Sequence, residues 1–327
     1  MDLTQALPWH ATAWSRFANA VSREAVAHAL LIHGEGGLHK VALARRIGQA
    51  LLCATPVANA DACGRCKSCL LLKAGTHPDW VEVSPIDSAV IKIDQVRSLS
   101  ERLSMRPQIA ARQVAVLYPA ERMNVAASNA LLKTLEEPSG DTHLLLVADR
   151  VGRLSATVRS RCQRLPVAPV ADDAGIAAFA SFFGVERSRA ASALAISHGD
   201  PEAAAQILSP GVWAEWTQLA ERLVEIANGR LTPTRFFGLY AKDGGRMLGR
   251  WSGLIAVSMN ADGLDVPGLD NLVRLTSRVE MSRLAPLAAQ LERARGMLGS
   301  GVREDLLIYE LSCRWAELHS TGRERSA

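Results

Sequence analysis

Two groups of residues in the first seventy positions have the types and spacing to do chemistry. The run Gly34-Glu35-Gly36-Gly37-Leu38-His39-Lys40-Val41 falls on the pattern G-x-x-x-x-G-K-[ST], in which backbone N–H groups cradle phosphates and the lysine reaches the terminal ones. Gly34, Gly37 and Lys40 fit. His39 stands where the second glycine belongs, and its Cβ would obstruct a close approach of backbone to phosphate. Val41 replaces the hydroxyl residue that would bind Mg²⁺. The rival reading is an ordinary glycine turn between a strand and a helix. The second half of a hydrolytic site is an acidic pair closing a later strand, where it holds metal and polarises water. The matching run, Val114 to Tyr118, leads into Pro119-Ala120, and Glu121 comes at least one residue late. With both halves defective, hydrolysis at this site is expected to be negligible.

The second group is Cys53, Cys63, Cys66 and Cys69, spaced C-x9-C-x2-C-x2-C. Four thiolates so spaced can converge on one ion with bonds of about 2.3 Å and close a tetrahedral structural site, for which zinc is the expected metal. A ferredoxin run would need a further cysteine followed by proline, which Leu70 to Lys73 do not supply. A thioredoxin-like pair would leave two cysteines idle. Unmetallated thiols are the main alternative. Cys162 and Cys313 stand alone and read as small buried apolar residues.

The elements that must position these groups follow from hydrophobic periodicity. Ala29–His33, Trp80–Val83, Val114–Tyr118 and Leu144–Ala148 read as strands. Helical spacing follows the glycine run through Val41, Leu43, Ala44, Ile47, Ala50 and Leu51, with the cysteine lobe extending that helix. Asp94 is read as the N-cap of a helix carrying Val96, Leu99 and Leu103, and Asn124 as the cap of one through Leu131, Leu132 and Leu135 that stops at Pro138. Strands alternating with helices imply a parallel sheet covered on both faces. Strand signals fade after Pro166 and Pro169. Residues 171 to 207 read as a small helical unit, broken by Ser209-Pro210-Gly211 from a helical remainder. There, Trp213, Trp216, Leu219, Leu223 and Ile226 form one apolar stripe, and Leu307, Leu311, Trp315 and Leu318 another.

Composition narrows the class. A chain of 327 residues with 48% hydrophobic and 21% charged residues reads as a globular protein of two or three domains. The start, Met1-Asp2-Leu3-Thr4, shows no secretory pattern. No apolar run approaches the roughly 18–20 residues that span a bilayer, so a cytoplasmic protein without a membrane partner is expected. Net charge is +4 and pI about 8.8. The basic residues are scattered and mostly Arg, with six lysines at 40, 67, 73, 92, 133 and 242. That pattern does not argue for strong independent DNA binding.

Taken in order, His28–Gly34, the four cysteines, Gly75-Thr76-His77-Pro78-Asp79, Asn129–Pro138 and Ser160-Arg161-Cys162 resemble the bacterial clamp-loader AAA+ subunits of DNA polymerase III. The resemblance implies an AAA+ α/β domain over residues 1–166 with a zinc lobe at about 53–69, a helical lid over 167–208 and a helical collar over 209–327. Motor members of that family, gamma/tau, keep an intact phosphate loop and acidic pair; this chain looks like a member that does not hydrolyse ATP. Arg161 would then be an arginine finger acting in trans on a neighbour's ATP, and Cys53, Cys63, Cys66 and Cys69 the zinc ligands. Asn129–Pro138 would transmit motion between site and neighbour. Ala148-Asp149 stands where motors carry a polar sensor, and Glu202 where they carry an arginine. The implied partners are gamma/tau and delta subunits in a pentameric ring, with the beta sliding clamp and primed DNA met through the assembly. The competing reading is a self-sufficient ATPase of the helicase-loader type with an atypical loop; another is a redox or Fe–S protein.

Overall fold

The computed structural model describes residues 6–86, 88–240, 244–259, 269–297 and 304–320; Met1–Thr4 and Lys242 lie outside them. The chain forms two compact units, Met1–Pro169 and Val170–Ala327. In the first, the elements run α1 (Ala11–Ser22), β1 (Ala29–His33), α2 (Lys40–Leu52), α3 (Lys67–Lys73), β2 (Trp80–Val83), α4 (Ile93–Leu103), β3 (Gln113–Leu117), α5 (Val125–Glu136), β4 (Thr142–Ala148), α6 (Ala156–Ser160) and β5 (Gln163–Pro166).

The five strands make one sheet in the order β2-β3-β4-β1-β5, and every pairing is parallel. Alternate side chains of a strand face opposite ways, so a sheet buried on both faces needs apolar residues at successive positions. All seven residues of the central strand β4 are buried. Leu30, Ile32, Val114, Val116, Leu145 and Val147 pack on Trp14 and Phe17 of α1 and on Leu43, Ile47 and Leu51 of α2. Leu31, Ala115, Leu117, Leu144 and Leu146 pack on Val96, Leu99 and Leu103 of α4, and on Leu131 and Leu135 of α5. This is the parallel sheet covered on both faces that the alternation of strands and helices implies.

Two local features differ from expectation. Lys92, not Asp94, takes the N-cap position of α4, and Asp94 lies in its first turn; the Lys92 N–H donates to Gln95 Oε1 at 3.0 Å. Asn124 does cap α5, its Oδ1 accepting from Ala127 N at 2.7 Å. Strand β5 has no apolar run, since only Leu165 is buried. It exists because β1 offers it a parallel partner, with Leu31 opposite Arg164 and Ile32 opposite Leu165.

The second unit holds α7 (Asp173–Phe183), α8 (Arg187–Ile196), α9 (Pro201–Ile207), α10 (Pro210–Ala227), α11 (Pro233–Tyr240), α12 (Gly244–Met259), α13 (Asp270–Thr276), α14 (Met281–Met297) and α15 (Glu304–Ser320). Trp216, Leu219, Leu223 and Ile226 of α10 are buried. They share a core with Phe236, Trp251, Ile308, Leu311 and Trp315, and Trp315 Nε1 donates to Leu223 O at 2.8 Å. In the α15 stripe, Ile308 takes the buried place expected of Leu307, and Leu307 and Leu318 are half-buried. Trp213 is also half-buried, with the Arg189 guanidinium 5.2 Å from its ring centre. Gly253 of α12 lies where a Cβ would come 2.9 Å from the Trp216 ring and 3.2 Å from Ile196; this close approach brings α8, α10 and α12 together. No helix among the described residues is long and apolar enough to cross a membrane.

Candidate functional site

The glycine run forms the turn between β1 and α2. In the β1–β4 register His33 lies opposite Ala148, so the next residue of β4's chain, Asp149, emerges beside Gly34. Its carboxylate takes the lysine: Lys40 Nζ is 2.7 Å from Asp149 Oδ1, and the lysine side chain is only 2% exposed. The same ammonium donates to the loop's own Glu35 carbonyl. Tyr118 O–H donates to Asp149 Oδ2 at 3.2 Å. Burial, and then the Asp149 charge, push the Tyr118 phenol up to about 12. Glu121, which follows β3 in a short turn, accepts the N–H groups of Asp149 and Arg150 on Oε1, each at 3.1 Å. The carboxylate that arrives late for a metal therefore caps the end of β4 instead.

The loop keeps its shape for reasons other than phosphate. A Cβ on Gly34 would come 2.3 Å from Val167 O, so glycine is required by the chain leaving β5. His39 adopts a left-handed conformation, φ 53° and ψ 36°, which costs a non-glycine residue roughly 1–2 kcal/mol. Its Cβ does not prevent the turn. His10 Nε2–H donates to Leu38 O at 2.7 Å, and burial lowers the His10 pKa to about 4. In this set the lysine charge is paired with a carboxylate of the same chain, and Val41 offers no hydroxyl.

The four cysteines do come together. Cys53 caps the C-terminus of α2, Cys66 the N-terminus of α3, and all four sulfurs lie within 4.8 Å of one another. Cys53 and Cys66 sulfurs are 3.9 Å apart, Cys63 and Cys69 4.0 Å. Four sulfurs about 2.3 Å from one tetrahedral ion would be separated by about 3.8 Å, so the set could hold such an ion. N–H groups of Cys63 and Cys66 donate to Cys53 and Cys63 sulfurs at 3.3 Å. The Thr55 hydroxyl, with backbone N–H groups of Arg65 and Cys66, lowers the Cys63 pKa to about 5; burial pushes Cys69 up. The lobe is docked by a bidentate Arg46–Asp61 pair at 2.9 and 2.8 Å, by Arg46 over the Trp14 ring at 3.7 Å and by Trp14 Nε1 donating to Asn59 O at 3.0 Å. Sequence spacing did not reveal this clasp.

Arg161 follows α6 directly, with its side chain 36% exposed. It pairs with Glu136 Oε1 at 2.5 Å and donates to Thr157 O at 3.1 Å. Its neighbour Cys162 is buried and bonds to Val158 O at 3.3 Å, which anchors the chain beneath the guanidinium. Glu136 was not singled out from sequence, although it lies within Asn129–Pro138. Asp79 was also missed as an organiser. Its buried carboxylate accepts the N–H groups of Gln108, Ile109 and Ala110 at 2.7, 2.8 and 2.8 Å; burial alone would raise its pKa, but these bonds hold it below the usual range. Glu202 is exposed in the first turn of α9.

A family model described as "DNA polymerase III, delta subunit" matches residues 9–171. The DNA polymerase III subunit delta' of Pseudomonas aeruginosa is 42% identical over 218 residues, 65% of each chain. That alignment spans a little under two thirds of the relative's own length. The Escherichia coli subunit delta' is 30% identical over 304 residues, 88% of each chain. Among solved structures, a DNA polymerase III gamma subunit-related protein from Thermotoga maritima shares 15% identity, with a TM-score of 0.44 over 92% of this chain and 99% of that one. Likeness to a delta' subunit across nearly nine tenths of both sequences shows that the chain belongs to the DNA polymerase III delta-prime subunit family.

Proposed function

We propose that the chain serves the DNA polymerase III clamp loader as a non-hydrolysing delta-prime subunit, which lends Arg161 to the ATP site of a neighbouring gamma/tau subunit. The observation that carries this reading is a contrast between two cations. Lys40 is buried and paired with an internal carboxylate, whereas Arg161 holds its guanidinium partly exposed at the end of a short helix. A guanidinium supplied in trans offsets charge on the transferring phosphoryl group and is worth about 10³–10⁵ in rate.

The surrounding parts take roles consistent with this. Zinc held by Cys53, Cys63, Cys66 and Cys69 is structural: it lacks redox chemistry, and four thiolates leave no open position. Residues 167–208 act as the lid and 209–327 as the collar that holds a ring with gamma/tau and delta. The assembled ring opens the beta sliding clamp and places it on primed DNA in the cytoplasm. A self-sufficient helicase-loader-type ATPase would need a lysine available to phosphate and a hydroxyl for magnesium; Lys40–Asp149 and Val41 speak against both.

The test mixes the purified chain with gamma/tau and delta subunits, with each component also assayed alone for phosphate release from ATP. A stoichiometric complex and no turnover by this chain alone are expected. Turnover by the isolated chain, or no complex, would refute the reading.

A further inference from the structure

We propose that the exposed face of α3 in the cysteine lobe, formed by Lys67, Leu70 and Lys73 with Arg65 beside it, docks an acidic segment of a partner protein that carries an apolar side chain between carboxylates. None of these residues has a part in the roles given to Arg161 and Lys40.

Helical spacing divides α3 into two faces. Ser68 and Cys69 are buried, and half-buried Leu72 packs against the core that holds Leu43 and Ile47 of α2. Lys67, Leu70 and Lys73 recur at three-residue intervals, so they share the other face, and all three are exposed. Leu70 is 55% exposed. A lone exposed leucine needs no explanation, but this one has a lysine one turn before it and another one turn after it. The helix is also held in place. Cys66 and Cys69 belong to the four-sulfur cluster, and the lobe is clasped to α2 and α1 by Arg46–Asp61 and by Trp14 donating to Asn59 O. A face that is already ordered avoids one cost of association.

The charge of the lobe is one-sided. Between residues 54 and 76 the only acid is Asp61, and Arg46 takes both of its oxygens. Arg65, Lys67 and Lys73 remain, and none of them forms an ion pair among the described residues. Zinc held by four thiolates would leave negative charge at the centre of the lobe. The groups that reach the sulfurs, however, are the Thr55 hydroxyl and the Cys63 and Cys66 N–H groups, not these cations. Nucleic acid fits the face less well. A protein that grips duplex DNA through about 6–10 phosphates needs a matching set of cations, and the lobe offers only Arg65, Lys67 and Lys73. Single strands stack on aromatic rings, and residues 54–76 contain none. Carboxylates opposite the lysines, with an apolar side chain over Leu70, complement both parts of the face.

The experiment follows the fluorescence anisotropy of a labelled peptide of repeated Asp-Glu-Leu triplets as the full-length chain is added at low salt. Saturable binding by wild type is expected. The double variant Lys67→Gln, Lys73→Gln should weaken it by about 10-fold, as should Leu70→Ser alone. A peptide with serine for every leucine should bind wild type about 10-fold less tightly. Melting temperature and zinc content, measured on the same samples, should match wild type, because the substituted side chains are exposed. No binding by wild type, or variants that bind as tightly, would overturn the proposal. Loss of zinc from the lysine variant would also overturn it, by assigning those cations to the cysteine site. Oligothymidylate and a DNA duplex are titrated alongside; either one bound in place of the peptide, and released by the lysine substitutions, would replace the acidic segment with nucleic acid as the occupant.

Discussion

The guanidinium of Arg161 and the carboxylate of Glu136 lie 2.5 Å apart, which joins the residue after α6 to the last residue of α5. A carboxylate at a helix C-terminus faces the negative end of the helix dipole, and Arg161 offsets it. Because the pair is substantially exposed, it contributes little to stability, about 0–1 kcal/mol. Its consequence is positional: the guanidinium rests across two helix ends.

Glu136→Gln therefore should leave folding nearly unchanged while loosening the guanidinium. In a reconstituted assembly, ATP turnover is expected to fall by about 2- to 5-fold, the rate equivalent of a weak positional restraint. Steady-state phosphate release checks this, and a rate equal to wild type would show that Glu136 does not position Arg161.

Cys66→Ser removes one of four convergent sulfurs. The expected outcome is loss of stoichiometric zinc, measured by elemental analysis, with a lower melting temperature for the unit spanning Met1–Pro169, because metal binding and local folding are coupled. Retained zinc in the variant would contradict the ligand set.

Asp79→Ala leaves three backbone N–H groups near Gln108, Ile109 and Ala110 without their carboxylate. A destabilisation of about 3 kcal/mol is expected in urea unfolding. The depressed Asp79 pKa also gives the wild type stability that is present above the unfolded carboxyl pKa and lost as pH falls through the folded one.

His10 sets a second pH dependence. Its pKa falls from 6.5 to about 4 on burial, so between those values the unfolded chain binds more protons. Stability is then lost as pH falls below 6.5, by up to about 3 kcal/mol once pH reaches the folded pKa. His319 shifts the same way, through burial and then Arg283. The difference between wild type and His10→Gln, which keeps a donor for Leu38 O, isolates one group. Unfolding measured at pH 7.5 and 5 should show a smaller loss for the variant; equal losses would contradict the assignment.

Much of the first unit was legible in the sequence because buried parallel strands must be apolar at every position, as Leu144–Ala148 are. The four cysteines were legible because two short spacings leave few other geometries. Strand β5 was not: an edge strand with Gln163 and Arg164 exposed carries no such pattern. Nor was Asp149 readable as a partner of Lys40, since that pairing depends on the register of β1 against β4. Spacing along the chain predicts neighbours on one element; it does not predict which strand ends meet.

The decisive measurement is ATP turnover by gamma/tau in a complete assembly containing either wild-type chain or Arg161→Ala, with complex formation confirmed for both. Turnover at the neighbouring site should fall by about 10³–10⁵ while assembly is unchanged. An assembled Arg161→Ala complex that hydrolyses ATP at the wild-type rate would contradict the role given to Arg161.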